Sequence, residues 1–312
     1  MAEHQNHHGK GGDEDGSRND RDDRTGGRNG LPPGIEKQDF VPPGIMMQEL
    51  HRQALHKHHT SVRNHTSIDL GSSNATLILH GDHTTITGQD GNVNVVGERS
   101  SFDQIRLGNG TDAVALVGNR NTVTLGNGND VLAFKGNDNV GHVGNGNDKI
   151  AIDGRHDIVT VGTGTDTIGL GRHSQGDTIT VGAGHDLIAS EGTGNTFTLD
   201  GSTSALLLHG TDNKVFVNGG TADIADSTTK LDKLVLNIGT LGGSVDIANF
   251  SAAHGVVDLA PDLGFATGHA AAAALTSDGH GGSLLMFAGG HGSLDIHGVA
   301  PSGLHASNFH IT

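Results

Sequence analysis

Five loops of the form Gly-x-Gly-x-Asp, at 108–112, 126–130, 144–148, 162–166 and 182–186, carry the chemistry of this chain. Their closing residues, Asp112, Asp130, Asp148, Asp166 and Asp186, step by 18, 18, 18 and 20. A carboxylate at fixed spacing behind two glycines suits a hard cation. Glycines permit a tight turn that brings carbonyl oxygens inward, and the Asp completes an oxygen-only cage that selects Ca²⁺ over softer metals. If successive loops share an ion, five loops offer about four sites. Between them runs a second ladder, Asp103, Asn121, Asn139, Asp157, Asp177 and Asn195, stepping 18, 18, 18, 20 and 18. Its loops GNRN (118–121), GNDN (136–139) and GRHD (154–157) lack the second glycine. Amide rungs carry no charge, so this edge is expected to hold with little or no metal, leaving Asp103, Asp157 and Asp177 as weaker metal candidates.

The unbroken acid column needs a reason. Two carboxylates ~5 Å apart at an effective dielectric of ~20 repel by roughly 3 kcal/mol, less where solvent reaches them. Four such neighbours approach the whole stability of a small domain. A metal-free solenoid needing only turns could use Asn at every rung, and the first ladder uses none.

The elements that position these loops follow from the apolar residues. After each rung they recur at plus two and plus four: Val114/Leu116, Leu132/Phe134, Ile150/Ile152 and Ile168/Leu170 on one ladder. On the other stand Ile105/Leu107, Val123/Leu125, Val159/Val161, Ile179/Val181 and Phe197/Leu199. Period two means short strands with one face buried. Nine residues make a turn and a strand, and eighteen make one coil. The expected fold is all-β: a right-handed parallel β-roll or β-solenoid with 18-residue coils over 70–240, its repeat core at 103–199. Leu206/Leu208 and Val215/Val217 continue the beat, and Leu77, Ile86 and Val95 keep it weakly upstream. Residues 1–69 read as disordered or linker, with a short, largely solvated helix over 45–59 that carries Met46, Leu50 and Ala54 on one side. Residues 241–312 read as a small β-rich cap around Phe250, Phe265, Phe287 and Phe309.

Bulk composition narrows the function. With 51 Gly, 9 Phe and no Trp, Tyr or Cys, stability must come from stacking many small contacts. A net charge of −16 argues against nucleic acid and anionic membranes. No apolar run approaches the ~18 residues of a membrane span, and the N-terminus has no apolar h-region for Sec export. After residue 60 the only Glu are Glu98 and Glu191, so acid is present as short Asp, the type that reaches a turn or a cation. His51, His58 and His59 could suggest zinc, but no Cys or acidic partner has ligand-like spacing. The outward pairs Thr122/Thr124, Thr178/Thr180 and Thr196/Thr198 could suit an ice- or glycan-binding face, although Thr is simply a good strand residue. No catalytic motif is present, so no enzymatic activity is expected.

The five in-phase loops resemble the nonapeptide of the repeats-in-toxin (RTX) family, a Ca²⁺-binding parallel β-helix repeat. The match covers roughly residues 100–200. The motif's second and fourth glycines correspond to Gly108/Gly110, Gly126/Gly128, Gly144/Gly146, Gly162/Gly164 and Gly182/Gly184. Leu107, Leu125, Val143, Val161 and Val181 replace its first glycine. The C-terminal part is similar to the same region of RTX-type substrates of type I secretion. The resemblance implies a secreted protein of a Gram-negative bacterium, extracellular or cell-surface associated, whose roll folds on extracellular Ca²⁺ after export. Its implied partners are calcium ions, the type I secretion machinery and an extracellular polysaccharide or host surface. The alternatives are a non-catalytic or accessory part of a secreted RTX enzyme, or an ice- or glycan-binding solenoid.

Overall fold

The computed structural model describes residues 41–226, 235–238, 243–290 and 292–312. Up to residue 40, the segment expected to be disordered or linker lies outside the described residues. The chain winds alternately through two sheets, one of 14 strands and one of 12. Apart from two antiparallel pairings at the C-terminal end of the larger sheet, neighbours are parallel, as an 18-residue coil requires. Register follows the ladders. Val114 pairs with Leu132, Leu132 with Ile150, Ile150 with Ile168, and Ile168 with Ile188 across the insertion. In the other sheet Ile105 pairs with Val123, and Val159, Ile179 and Phe197 pair in sequence.

The plus-two and plus-four residues face inward from both sheets and form one cluster running from Val62 to Phe309. Where the beat fails there is a packing reason. Gly141 stands at the plus-two position of the Asn139 rung, and a Cβ there would lie 3.2 Å from the Phe134 ring and 2.6 Å from Leu132. Phe134, fully buried, fills the space from the opposite sheet. The two extra residues near 172–176 project as a turn, with Ser174 N–H donating to the Gly171 carbonyl and Gln175 N–H returning to Gly154. Both ladders absorb the same insertion because they belong to one winding.

The sheets take in strands on both sides of 70–240. Thr60–Val62 and Ser67–Asp69 pair with Leu77–Leu79 and Thr85–Thr87. Although the nonapeptide spacing lapses after Lys233, the pairing does not: Ile224, Ile247 and Ile296 remain in register, and Val256–Leu259 pairs with Phe309–Ile311. Phe250, Phe287 and Phe309 are buried, and the partly buried Phe265 packs against the same core cluster. The Ala-rich stretch forms a short helix, α2 (Gly268–Ala273), whose Thr267 cap accepts from Ala270 N–H.

A helix, α1 (Pro43–His56), lies on the outer face of the larger sheet with Pro at its first positions and Met46, Leu50 and Ala54 buried. Met46 and Leu50 pack on Ala115, Ala133 and Ala151, and Ala54 packs on Ile78 and Val96. Those alanines are a row in register on adjacent strands, and their small side chains let the helix approach. Ala133→Lys places a charge under α1 without touching the inner core. Limited proteolysis is expected to cut within 43–56 in this variant while far-ultraviolet circular dichroism changes little. Uncut α1 would contradict this packing.

Candidate metal-binding edges

The Gly-x-Gly-x-Asp loops stack along one edge, and their glycines meet. A Cβ on Gly128, Gly146, Gly164 or Gly184 would overlap the carbonyl oxygen of Gly110, Gly128, Gly146 or Gly164 respectively. Gly126, Gly144 and Gly162 likewise lie against the carbonyls of Gly108, Gly126 and Gly144, and Gly182 against Gly162. This corrects the sequence-based reason for the glycines. Of the ten, only Gly146 and Gly184 have positive φ, so close approach of coil to coil is what excludes a side chain. Gly146→Val should lower the melting temperature by about 10 °C or more, because the clash is with backbone that cannot move aside. A calorimetric scan at fixed Ca²⁺ checks it.

Asp112, Asp130, Asp148, Asp166 and Asp186 turn inward and are at most 4% exposed, so their charged forms lose most of their hydration, and the charges of neighbouring rungs add to this at Asp130, Asp148 and Asp166. Each uses Oδ1 in the same way. The Oδ1 of Asp130 accepts from Asp112 N–H at 2.8 Å, that of Asp148 from Asp130 N–H at 2.7 Å, and that of Asp166 from Asp148 N–H at 2.8 Å. Asp112 accepts from Val93 N–H, and Asp186 from Asp166 N–H at 3.3 Å. Every carboxylate thus caps a backbone donor one coil earlier. Oδ2 has no such use: on all five rungs it is buried without a hydrogen-bond partner. An orphaned buried acceptor costs about 1–3 kcal/mol, more when charged. Burial pushes the Asp130 carboxyl up to about 7 and those of Asp112, Asp148, Asp166 and Asp186 up to about 6.

The second ladder shows what an uncharged rung does in such a place. Asp103, Asn121, Asn139, Asp157 and Asp177 are fully buried and pass Oδ1 bonds down the coils: Asp103 N–H to Asn121, Asn121 N–H to Asn139, Asn139 N–H to Asp157 and Asp157 N–H to Asp177. At the other terminus of the side chain, Asn121 Nδ2 donates to the Ser100 carbonyl and Asn139 Nδ2 to the Gly118 carbonyl, each 21 residues back. The amides thus bond to backbone, and Asn139 Nδ2 also donates to the next rung at Asp157 Oδ1. At Asp157 the same position holds an acceptor. Its Oδ2 and the Gly136 carbonyl crowd the same point beside Gly154, and the Oδ2 atoms of Asp157 and Asp177 have no partner. Burial raises these two carboxyls to about 7 and about 6. Asp103 differs, because Ser100 Oγ donates to its Oδ2.

Two features of the loops escaped the sequence reading. An exposed amide ladder lies on the first edge: Asn127 Nδ2 donates to Asn109 Oδ1 and Asn145 Nδ2 to Asn127 Oδ1. The signal was Asn at 109, 127 and 145, inside the loops and at the repeat spacing. On the second edge the residue before each rung is left-handed: Phe102, Arg120, Asp138 and His156 have φ of 55–60°. Their side chains stack outward, with Arg120 over the Phe102 ring at 5.5 Å and His83 stacked on Phe102 at 4.9 Å. This left-handed position is served by Gly176 and Gly194 in later coils.

The outward Thr rows are interrupted by Val140, Ile158 and His142 in register. The His51 imidazole faces Glu98 at 3.4 Å. Among the described residues no helix is long and apolar enough to cross a membrane. The chain matches no protein-family model, and no curated protein matches it.

Proposed function

We propose that this chain is a calcium-binding β-roll of the RTX type, exported and then folded by the ion. The observation that carries the reading is the unpartnered, buried Oδ2 on every rung of the first edge. A donor set of carboxylate and loop carbonyl oxygens fits a hard divalent cation. Asp112, Asp130, Asp148, Asp166 and Asp186 would hold the ions together with carbonyls of the Gly108–Gly110 loop and its four repeats, and Asp157 and Asp177 would form a lesser site on the second edge. Calcium supplies positive charge where neither water nor an N–H reaches. The chain's own residues fix the spacing: Oδ1 ties each rung to the coil before it, and the glycines hold successive loops in contact.

The folding mechanism follows from linkage. Where Ca²⁺ is scarce, ionised rungs repel and the coils remain open. Where it is abundant, binding free energy becomes folding free energy. Such a chain suits type I export followed by a structural, adhesive or host-surface role outside the cell. Isothermal titration of the full chain with Ca²⁺ tests the binding step. About four ions per chain are expected on the first edge, and Asp130→Asn with Asp148→Asn should remove most of that heat. No calcium heat at millimolar concentration would refute the proposal. Assays on lipid, casein and alginate separate this reading from the accessory part of a secreted enzyme.

A further inference from the structure

Past the last Gly-x-Gly-x-Asp loop, the outer face of the larger sheet gathers a second set of acids. Asp223 pairs with Asp246, and Asp246 with Asp295. Neighbouring strands stand ~4.8 Å apart, so three carboxylates lie in line, on the opposite face from the core residues Ile224, Ile247 and Ile296. His297, two residues beyond Asp295, shares that face. Ligand atoms of Asp246, Asp295 and His297 all lie within 4.8 Å of one another, and the imidazole acts electrostatically on all three carboxylates. Asp295 Oδ1 is itself buried and has no hydrogen-bond partner. Burial, then the charges of Asp223 and Asp295, raises the Asp246 carboxyl.

Protonation of His297 would offset only one of three negative charges. As a neutral ligand it adds a nitrogen donor that the calcium edge lacks. We propose that Asp246, Asp295 and His297, with Asp223 alongside, form a site for one divalent first-row transition ion. Mixed carboxylate and imidazole donors suit Mn²⁺ or Zn²⁺ rather than Ca²⁺. His297 is exposed, which leaves an open side where water or an external ligand can complete the coordination. This goes beyond the calcium reading, since it uses other residues, another face and another ion class.

The test titrates Mn²⁺ into the full-length chain at saturating Ca²⁺ and reads free Mn²⁺ by electron paramagnetic resonance. One ion per chain is expected to bind, and His297→Ala and Asp295→Asn should each weaken it at least about tenfold. His297 is exposed, so its removal spares the fold, which circular dichroism verifies. Asp148→Asn, on the calcium edge, should leave Mn²⁺ binding unchanged. The proposal is overturned if the parent chain binds no Mn²⁺, or if both site variants bind as the parent does. It is also overturned if Asp148→Asn alone removes the binding.

Discussion

Stripped of calcium at pH 8, the full-length chain is expected to lose most of its β-sheet circular dichroism and to regain it in millimolar Ca²⁺. The reason is the buried carboxylates. At pH 8 the five first-edge rungs and Asp157 and Asp177 lie above their folded pKa values of about 6 to 7. Each then carries charge on a buried Oδ2 without a hydrogen-bond partner, eased by the Ser204 hydroxyl at Asp186 and the Ser174 hydroxyl at Asp177. A ligand present at a hundred times its dissociation constant stabilises the folded state by about 2.7 kcal/mol per site. Four such sites amount to about 11 kcal/mol, within the range of a whole domain's stability. A spectrum and melting curve that EDTA leaves unchanged at pH 8 would contradict this.

The second large effect has an unusual sign. Replacing Asp130, Asp148 and Asp166 together by Asn should stabilise the metal-free chain while removing most of its response to calcium. Oδ1 of each Asn would still cap the backbone N–H one coil back, as Asn121 and Asn139 do. The buried charge would be gone. Protons should act in the same direction. An acid whose folded pKa is raised binds its proton more tightly in the folded state, so metal-free stability grows as pH falls through about 7 to 6 and is fully gained below the unfolded value near 4. Between pH 8 and pH 5 the calcium-free chain should regain β-sheet circular dichroism and a cooperative melt that it lacks at pH 8. The Asn variant should show a much flatter pH dependence. A metal-free chain that stays unfolded from pH 8 down to pH 5 would refute the argument, as would an Asn variant no more structured than its parent in EDTA.

Much of this was legible in the sequence because an 18-residue coil writes its geometry as a period. The rungs and the inward pairs such as Ile150/Ile152 recur at fixed offsets, so sheets, register and core could be read from spacing alone. What each rung does could not. That Oδ1 of Asp148 caps Asp130 N–H depends on how far one coil sits above the next, which spacing leaves open. The glycines stand out in the sequence, but the constraint that requires them does not, since a turn and a close approach both need Gly. Ala115, Ala133 and Ala151 do keep the repeat spacing, yet only the docked α1 gives that stripe a meaning. The Asp223, Asp246 and Asp295 column was hidden for another reason. Its members are 23 and 49 residues apart, and the longer step takes in α2 and the antiparallel strands at the end of the larger sheet.

The most direct test of the central claim is anomalous diffraction from crystals of the full chain grown in Ca²⁺. The account predicts a row of ions along the first edge, between successive rungs from Asp112 to Asp186 and within coordination distance of their Oδ2 atoms. Crystals that diffract well, grown in millimolar calcium at pH 8, with no anomalous density along that edge would contradict it.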